Sequence, residues 1–105
     1  MNVLNFLGFD CCIAKRHYAN GVIALELIAA ETDDNINNDT FAGERICVAT
    51  TCVSNANLLT NETCIKNYSE NTGIEDVLVE AGIIKLTGKS CRTGYVSVPI
   101  VEVLI

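Results

Sequence analysis

A chain of 105 residues is the size of one domain, and with half of its residues hydrophobic and a single proline it is no disordered segment. Thirteen acidic against seven basic side chains leave a net charge of −6. That balance argues against the basic face that nucleic-acid phosphates require and points to partners with neutral or basic surfaces.

In chain order, residues 4–12 are short, apolar and broken by Gly8, which predicts a first strand. "RHYANG" then turns the chain, with Asn20-Gly21 as a strong hairpin signal. Residues 22–30 are apolar throughout except for Glu26, and "ETDDNINNDTFAGE" reads as a long polar loop closed by Gly43. Residues 45–53 are dense in β-branched side chains and predict a third strand. "SNANLLTNE" connects it to a short fourth strand, 63–67. After a helix, "IIKLTG" and "GYVSVPIVEVLI" predict two more strands linked through "KSCRT". Pro99 has no N–H for a ladder, so the last strand is an edge or is bulged there.

The helix lies in "IKNYSENTGIEDVLVEAGII", residues 65–84. Ile74, Val77, Leu78 and Ala81 fall at helical spacing and form one apolar stripe. Asn71 or Thr72 is placed to cap the N-terminus, and Thr72 with Glu75 has capping-box spacing. Glu75 and Asp76 occupy the first turn, where the helix dipole favours acids, and Gly82 is placed for a left-handed exit. Such a short helix is marginal alone, so its stripe must dock on the sheet.

The expected fold is therefore α+β, one domain over residues 1–105. It is a curled, mostly antiparallel sheet of five or six strands with one short helix packed on one face. One helix covers one face only, whereas residues 22–30 and 96–105 are apolar on both. Either the sheet curls into a partial barrel, or a second subunit or partner covers the other face, so a homodimer through a sheet face or edge stays open.

Cys11, Cys12, Cys47, Cys52, Cys64 and Cys91 show no C-x-x-C spacing. Most sit in apolar, β-branched stretches where a thiol behaves as a small hydrophobe. The N-terminal segment has no basic leader region, and the longest apolar runs carry Glu26 and Glu102 and are too short to span a bilayer. A cytoplasmic protein with free thiols and no membrane association is the expectation, in which the sequons at Asn38, Asn61 and Asn67 are inert.

Asp33, Asn35, Asn37, Asp39 and Glu44 have the spacing of EF-hand calcium ligands. Asn38 stands where such a loop needs glycine, and strands flank it, so an Asn/Asp-rich hairpin loop is the preferred reading and no metal is expected. His17, beside Arg16 and Tyr18, has no identifiable acid or nucleophile partner. No phosphate loop and no G-x-S-x-G motif are present, so neither an enzyme nor a cofactor is expected. Cys91 lies between Lys89 and Arg92, whose charges could lower its pKa, but an ordinary turn cysteine is the stronger reading.

Lys66, Tyr68, Glu70 and Asn71 crowd more polar groups around "NYSEN" than a helix start needs. With Arg92 and Tyr95 they are the candidate binding residues. Against this, Ser69, Asn71 and Thr72 are ordinary cap and turn formers, and the capping reading is preferred.

"IKNYSENTGIEDVLVEAGI", with "TG" at 87–88 and "GYVSVPI" at 94–100, is similar to a family of short uncharacterised proteins carried by bacterial mobile elements and phages. "NFLGFDC" and "YANGVIAL" fit the same pattern, and residues 31–43 form an insertion relative to it. The resemblance implies a setting, the cytoplasm of a bacterial host, and no particular activity. A small acidic protein in that setting is expected to be a non-enzymatic inhibitor that binds a host or defence-system protein, anti-CRISPR-like, by protein–protein contact. The alternative is a small-molecule or nucleotide binder that uses the helix N-terminus, where backbone N–H groups favour anions.

Overall fold

The computed structural model describes residues 3–37, 39–53 and 57–105, with Glu70 described by its backbone alone. Leu7 and Gly8 take positive φ, 56° and 82°, and split the first expected strand in two. β1 (Leu4–Phe6) folds straight back into β2 (Phe9–His17), with Leu4 opposite Cys11. Arg16 and His17 therefore belong to β2, and the turn is confined to residues 18–21, closed by the Gly21 amide donating to the Tyr18 carbonyl at 2.9 Å. β3 (Ile23–Ala29) pairs with β2 from Cys11–Ala29 to His17–Ile23.

The polar loop that follows contains a short helix, α1 (Asp33–Asn37). Asn35 is 1% exposed. It accepts the Asp10 amide at 3.0 Å and donates to the carbonyls of Asp10 and Ala30, each at 2.8 Å. Those bonds consume a side chain that a calcium loop would need as a ligand. Among the described residues no group of three His, Cys, Asp or Glu could hold a metal ion, and Asn38 lies outside them.

The expected third strand is shared between two sheets. β4 (Arg45–Val48) pairs with β3, and β5 (Thr50–Thr51) pairs with β6 (Glu62–Ile65). The crossing point is Ala49, fully buried. Its amide donates to the Leu25 carbonyl of β3, and its carbonyl accepts the Lys66 amide beyond β6, both at 2.8 Å. A 3-10 turn (Ser69–Asn71), α2 (Ile74–Glu80), β7 (Ile84–Thr93) and β8 (Val96–Val103) complete the chain. The strand orders are β1-β2-β3-β4 and β5-β6-β8-β7, with antiparallel pairing throughout. The fold is α+β as expected, but it has two four-stranded sheets instead of one curled sheet of five or six strands. The reason is the change of partner at Ala49, which hands one extended segment from the first sheet to the second.

"KSCRT" is part of β7, not a link. The register shifts between Leu86 and Ser90, and Pro99 faces that irregularity from β8, a central strand. The Thr87 hydroxyl donates to the Ile100 carbonyl at 2.7 Å there, serving an acceptor beside the bulge. Both readings of Pro99 hold locally: the ladder to β7 is bulged here, and the pairing with β6 ends at Ile100, so Pro99 pairs with β7 alone.

Leu25 and Leu27 from the first sheet, Ile65 and Val101 from the second, and Ile74 and Leu78 from α2 meet in one core. A second cluster, Val53, Cys64, Val98 and Ile100 with Leu58 and Tyr68 against it, covers the far side of the second sheet. β8 serves both, Val101 and Val103 turned one way and Val98 and Ile100 the other. Its second apolar face is thus covered from within the chain and does not require another subunit. All six thiols are free. Burial is the main cause that pushes Cys11 and Cys64 up to about 11, so neither supplies a thiolate at neutral pH. Among the described residues no helix is long and apolar enough to cross a membrane.

Glu62 is 5% exposed and ties the bulge of β7 to the approach of β6. It accepts the Leu59 amide at 2.9 Å and pairs with the Lys89 ammonium at 2.8 Å. The Leu59 hydrogen bond first, then Lys89, hold its carboxyl below the ordinary carboxylate value. A carboxylate depressed by folding adds stability that is complete above its unfolded pKa and is lost as pH falls through the folded one. Melting temperatures measured from neutral pH downward should therefore fall more steeply for the wild type than for Glu62→Gln. Parallel curves would mean that Glu62 has no part in the acid sensitivity.

Candidate functional site

The crossover at Ala49 leaves a groove of about 600 Å³ along the chain from Arg45 to Cys52. Residues 45–48 and 50–52 form one wall. Tyr18, Lys66 and Tyr68 close it. The Tyr18 hydroxyl lies 2.9 Å from Thr50 Oγ1, which also accepts the Leu25 amide at 3.2 Å, so this ring is anchored at the junction of the sheets. Lys66 leaves β6 with its ammonium 5.7 Å above the centroid of the Tyr68 ring, within cation–π range. Tyr68 rests its other contacts on the second apolar cluster. Arg45 is exposed and has no ion-pair partner among the described residues. No carboxylate lines the groove among those residues, although the chain as a whole carries a charge of −6.

Asn71 is not a helix cap. The residue at the N-cap of α2 is Gly73, at φ 89°, with no side-chain cap bond. Asn71 is fully buried and donates Nδ2 to the Val48 carbonyl of β4 at 2.7 Å. Its Oδ1 has no hydrogen-bond partner among the described residues. The expected capping box is also absent: Thr72 donates to the Ser69 carbonyl at 2.9 Å, and Glu75 accepts from Asn67 at 3.1 Å. A glycine with positive φ takes the cap position because the chain arrives from a 3-10 turn whose first residue, Ser69, is itself at φ 56°. The electrostatics of the α2 N-terminus also disfavour an anion. The helix has seven residues, and Glu75 and Asp76 occupy its first turn.

Of the residues read from sequence, Lys66 and Tyr68 line the groove, and Asn71 braces β4 from outside it. The Glu70 side chain lies outside the described residues. Arg92 and Tyr95 sit elsewhere, at the far end of the β7–β8 ribbon. The pairing of β6 with β8 ends at Cys64–Ile100, so residues 96–99 pair with β7 alone. Tyr95 in the turn is 101% exposed, and Arg92 is also exposed. Tyr68 links the two regions, because it packs against the cluster that also holds Cys91 and Val96. Sequence reasoning did not select Tyr18, Arg45, Thr51 or Cys52. No local signal marks them, since pairing between distant strands brings them together.

Compared with known proteins, the chain has no significant match to a family model, a curated protein or a solved structure.

Proposed function

We propose that this chain is a non-enzymatic binding protein that acts by contact with a partner protein, and that the Ala49 groove is the heart of its contact surface. The observation that carries this reading is a groove lined by two tyrosines and the exposed Arg45 in an otherwise acidic chain. Arginine and tyrosine are the residue types that dominate binding energy at protein interfaces. The exposed Tyr95 and Arg92 at the ribbon end extend the same chemistry beyond Tyr68. Composition alone suggested neutral or basic partners, whereas the groove favours an acidic patch. On this reading the setting is the cytoplasm of a bacterial host, with a host or defence-system protein as the one blocked. The support for that setting is the similarity read in the sequence to proteins of mobile elements.

Tagged protein expressed in a bacterial host is expected to capture one partner. Arg45→Glu should lose that partner while melting like the wild type, as an exposed substitution does. Lys85→Glu, exposed on β7 and outside the groove, should retain it. Equal capture by Arg45→Glu and the wild type would remove the groove from the function.

A further inference from the structure

Resting on the reading of the chain as a binding protein, but not on the groove, we infer that the edge of β7 beyond its bulge takes an acidic, extended segment of the partner as an added strand. The other sheet edges are poor templates. β1 has three residues and β5 two, and β4 ends with its Val48 carbonyl bonded to Asn71 Nδ2. β7 has ten residues, pairs with β8 alone, and is exposed or half-buried at every position after Ile84. A long edge of that kind presents unpaired backbone groups to an incoming strand.

The hairpin fixes which groups those are. Gly94, at φ 58°, and Tyr95 form a two-residue turn between Thr93 and Val96, which pair directly. The closing pair of such a hairpin exchanges both backbone hydrogen bonds, and the next pair exchanges none. Cys91–Val98 then bonds as Thr93–Val96 does, whereas Arg92–Ser97 and Ser90–Pro99 do not. Pro99 fits this phase, because a residue without an N–H cannot complete a bonded pair. Ser90 and Arg92 therefore direct N–H and C=O to the open side. There the Arg92 carbonyl meets the Cys91 thiol at 3.8 Å, too weak a contact to close the edge. Before the bulge the edge is guarded: the Lys89 amide donates to Thr87 Oγ1 at 3.1 Å, and the register is broken from Leu86 to Ser90.

Charge selects the segment. Residues 84–101 carry Lys85, Lys89 and Arg92 and no carboxylate, in a chain of net charge −6. Lys89 is paired with Glu62 at 2.8 Å. Glu75, which shares a small pocket with Ser90, accepts from Asn67 at 3.1 Å. Arg92 is exposed and has no ion-pair partner among the described residues, so it faces whatever side chain lies opposite on the added strand. Opposite charges across a strand pair stabilise it, and like charges do the reverse. A second copy paired edge to edge would set two basic strands together, so the occupant is an acidic segment of a partner protein.

The test titrates isotopically labelled protein with the acetylated peptide Glu-Thr-Glu-Thr-Glu-Thr, with its Lys-Thr counterpart, and with tripolyphosphate. At millimolar concentration the acidic peptide is expected to shift the amide signals of residues 90–93, more weakly as salt rises toward about 0.3 M. It should also slow hydrogen exchange at Ser90 and Arg92, whereas Cys91 and Thr93 are protected by β8 before any peptide is added. Arg92→Glu should weaken binding about tenfold or more, the effect of losing one charge-assisted pair, while melting like the wild type. Lys85→Glu should leave binding within about threefold, since that charge lies on the guarded side of the bulge, roughly 20 Å along the strand. No shift at 90–93, shifts without slowed exchange at Ser90 and Arg92, equal binding of the basic peptide or of tripolyphosphate, or shifts that follow self-association would each overturn the inference. If cellular capture is lost by Arg45→Glu and kept by Arg92→Glu, the groove stands and the edge falls. Capture lost by Arg92→Glu and kept by Arg45→Glu would uphold the edge and remove the groove.

Discussion

Leu78→Ala is expected to cost about 2–5 kcal/mol of folding stability, the range for truncating a buried leucine. Leu78 is fully buried with Ile74 on the inner stripe of α2, against residues of both sheets. A seven-residue helix has too few hydrogen bonds to persist without that docking. Against a total of about 5–15 kcal/mol for a domain, the loss is a large share of all the stability there is. Val79 is one residue further on and 40% exposed, so Val79→Ala should cost a small fraction as much. Urea unfolding of the two variants measures both. Similar midpoints would show that α2 does not hold the core through this stripe.

Asn71→Asp should be comparably damaging, about 3 kcal/mol or more at neutral pH, because it buries an unpaired charge. The substitution keeps the shape, removes the donor to Val48, and places a carboxylate beside a carbonyl that was 2.7 Å from an amide nitrogen. The loss should shrink in acid, where the carboxyl is protonated and can donate again. Asn71→Ala leaves the Val48 carbonyl unserved and should cost about 1–3 kcal/mol. Thr72→Ala, at an exposed position whose hydroxyl bonds only the Ser69 carbonyl, should be nearly silent. If instead Asn71→Ala and Thr72→Ala each cost several tenths and Asn71→Asp is mild, the residue is acting as a cap after all. The distinction bears on the groove too, since Asn71 braces the strand that forms its wall.

Local pattern was enough for the parts of this fold whose causes are local. The stripe of Ile74, Val77, Leu78 and Ala81 has the helical period, and the two fully buried members lie where it places them. Asn20-Gly21 marked a true turn, and Pro99 correctly announced an irregular ladder, because each acts through its own backbone. The largely apolar run of β8, interrupted by Ser97 and Glu102, rightly signalled two buried faces. What covers the second face was not legible, since Val53 and Leu58 reach it from a polar connection.

Ala49 is the clearest case of the opposite kind. An alanine within a β-branched run has no propensity to change partners, yet it bonds β3 through its amide and the end of β6 through its carbonyl. Leu7 at positive φ is similar: a leucine there is uncommon, and the pairing of β1 with β2 holds it. Asn71 has the composition of a cap, and only the arrival of β4 alongside turns it into a buried brace. The groove combines these effects. The Thr50–Ile65 pairing sets Lys66 and Tyr68 against residues 45–52, and the Tyr18 hydroxyl reaches Thr50 from the end of the β2–β3 hairpin. Propensity and hydrophobic period act over a few neighbouring residues, so they fixed the helix phase and the turns, and composition alone made the chain acidic. The site depends on register between segments far apart in sequence, which is decided only when both sheets close on one core.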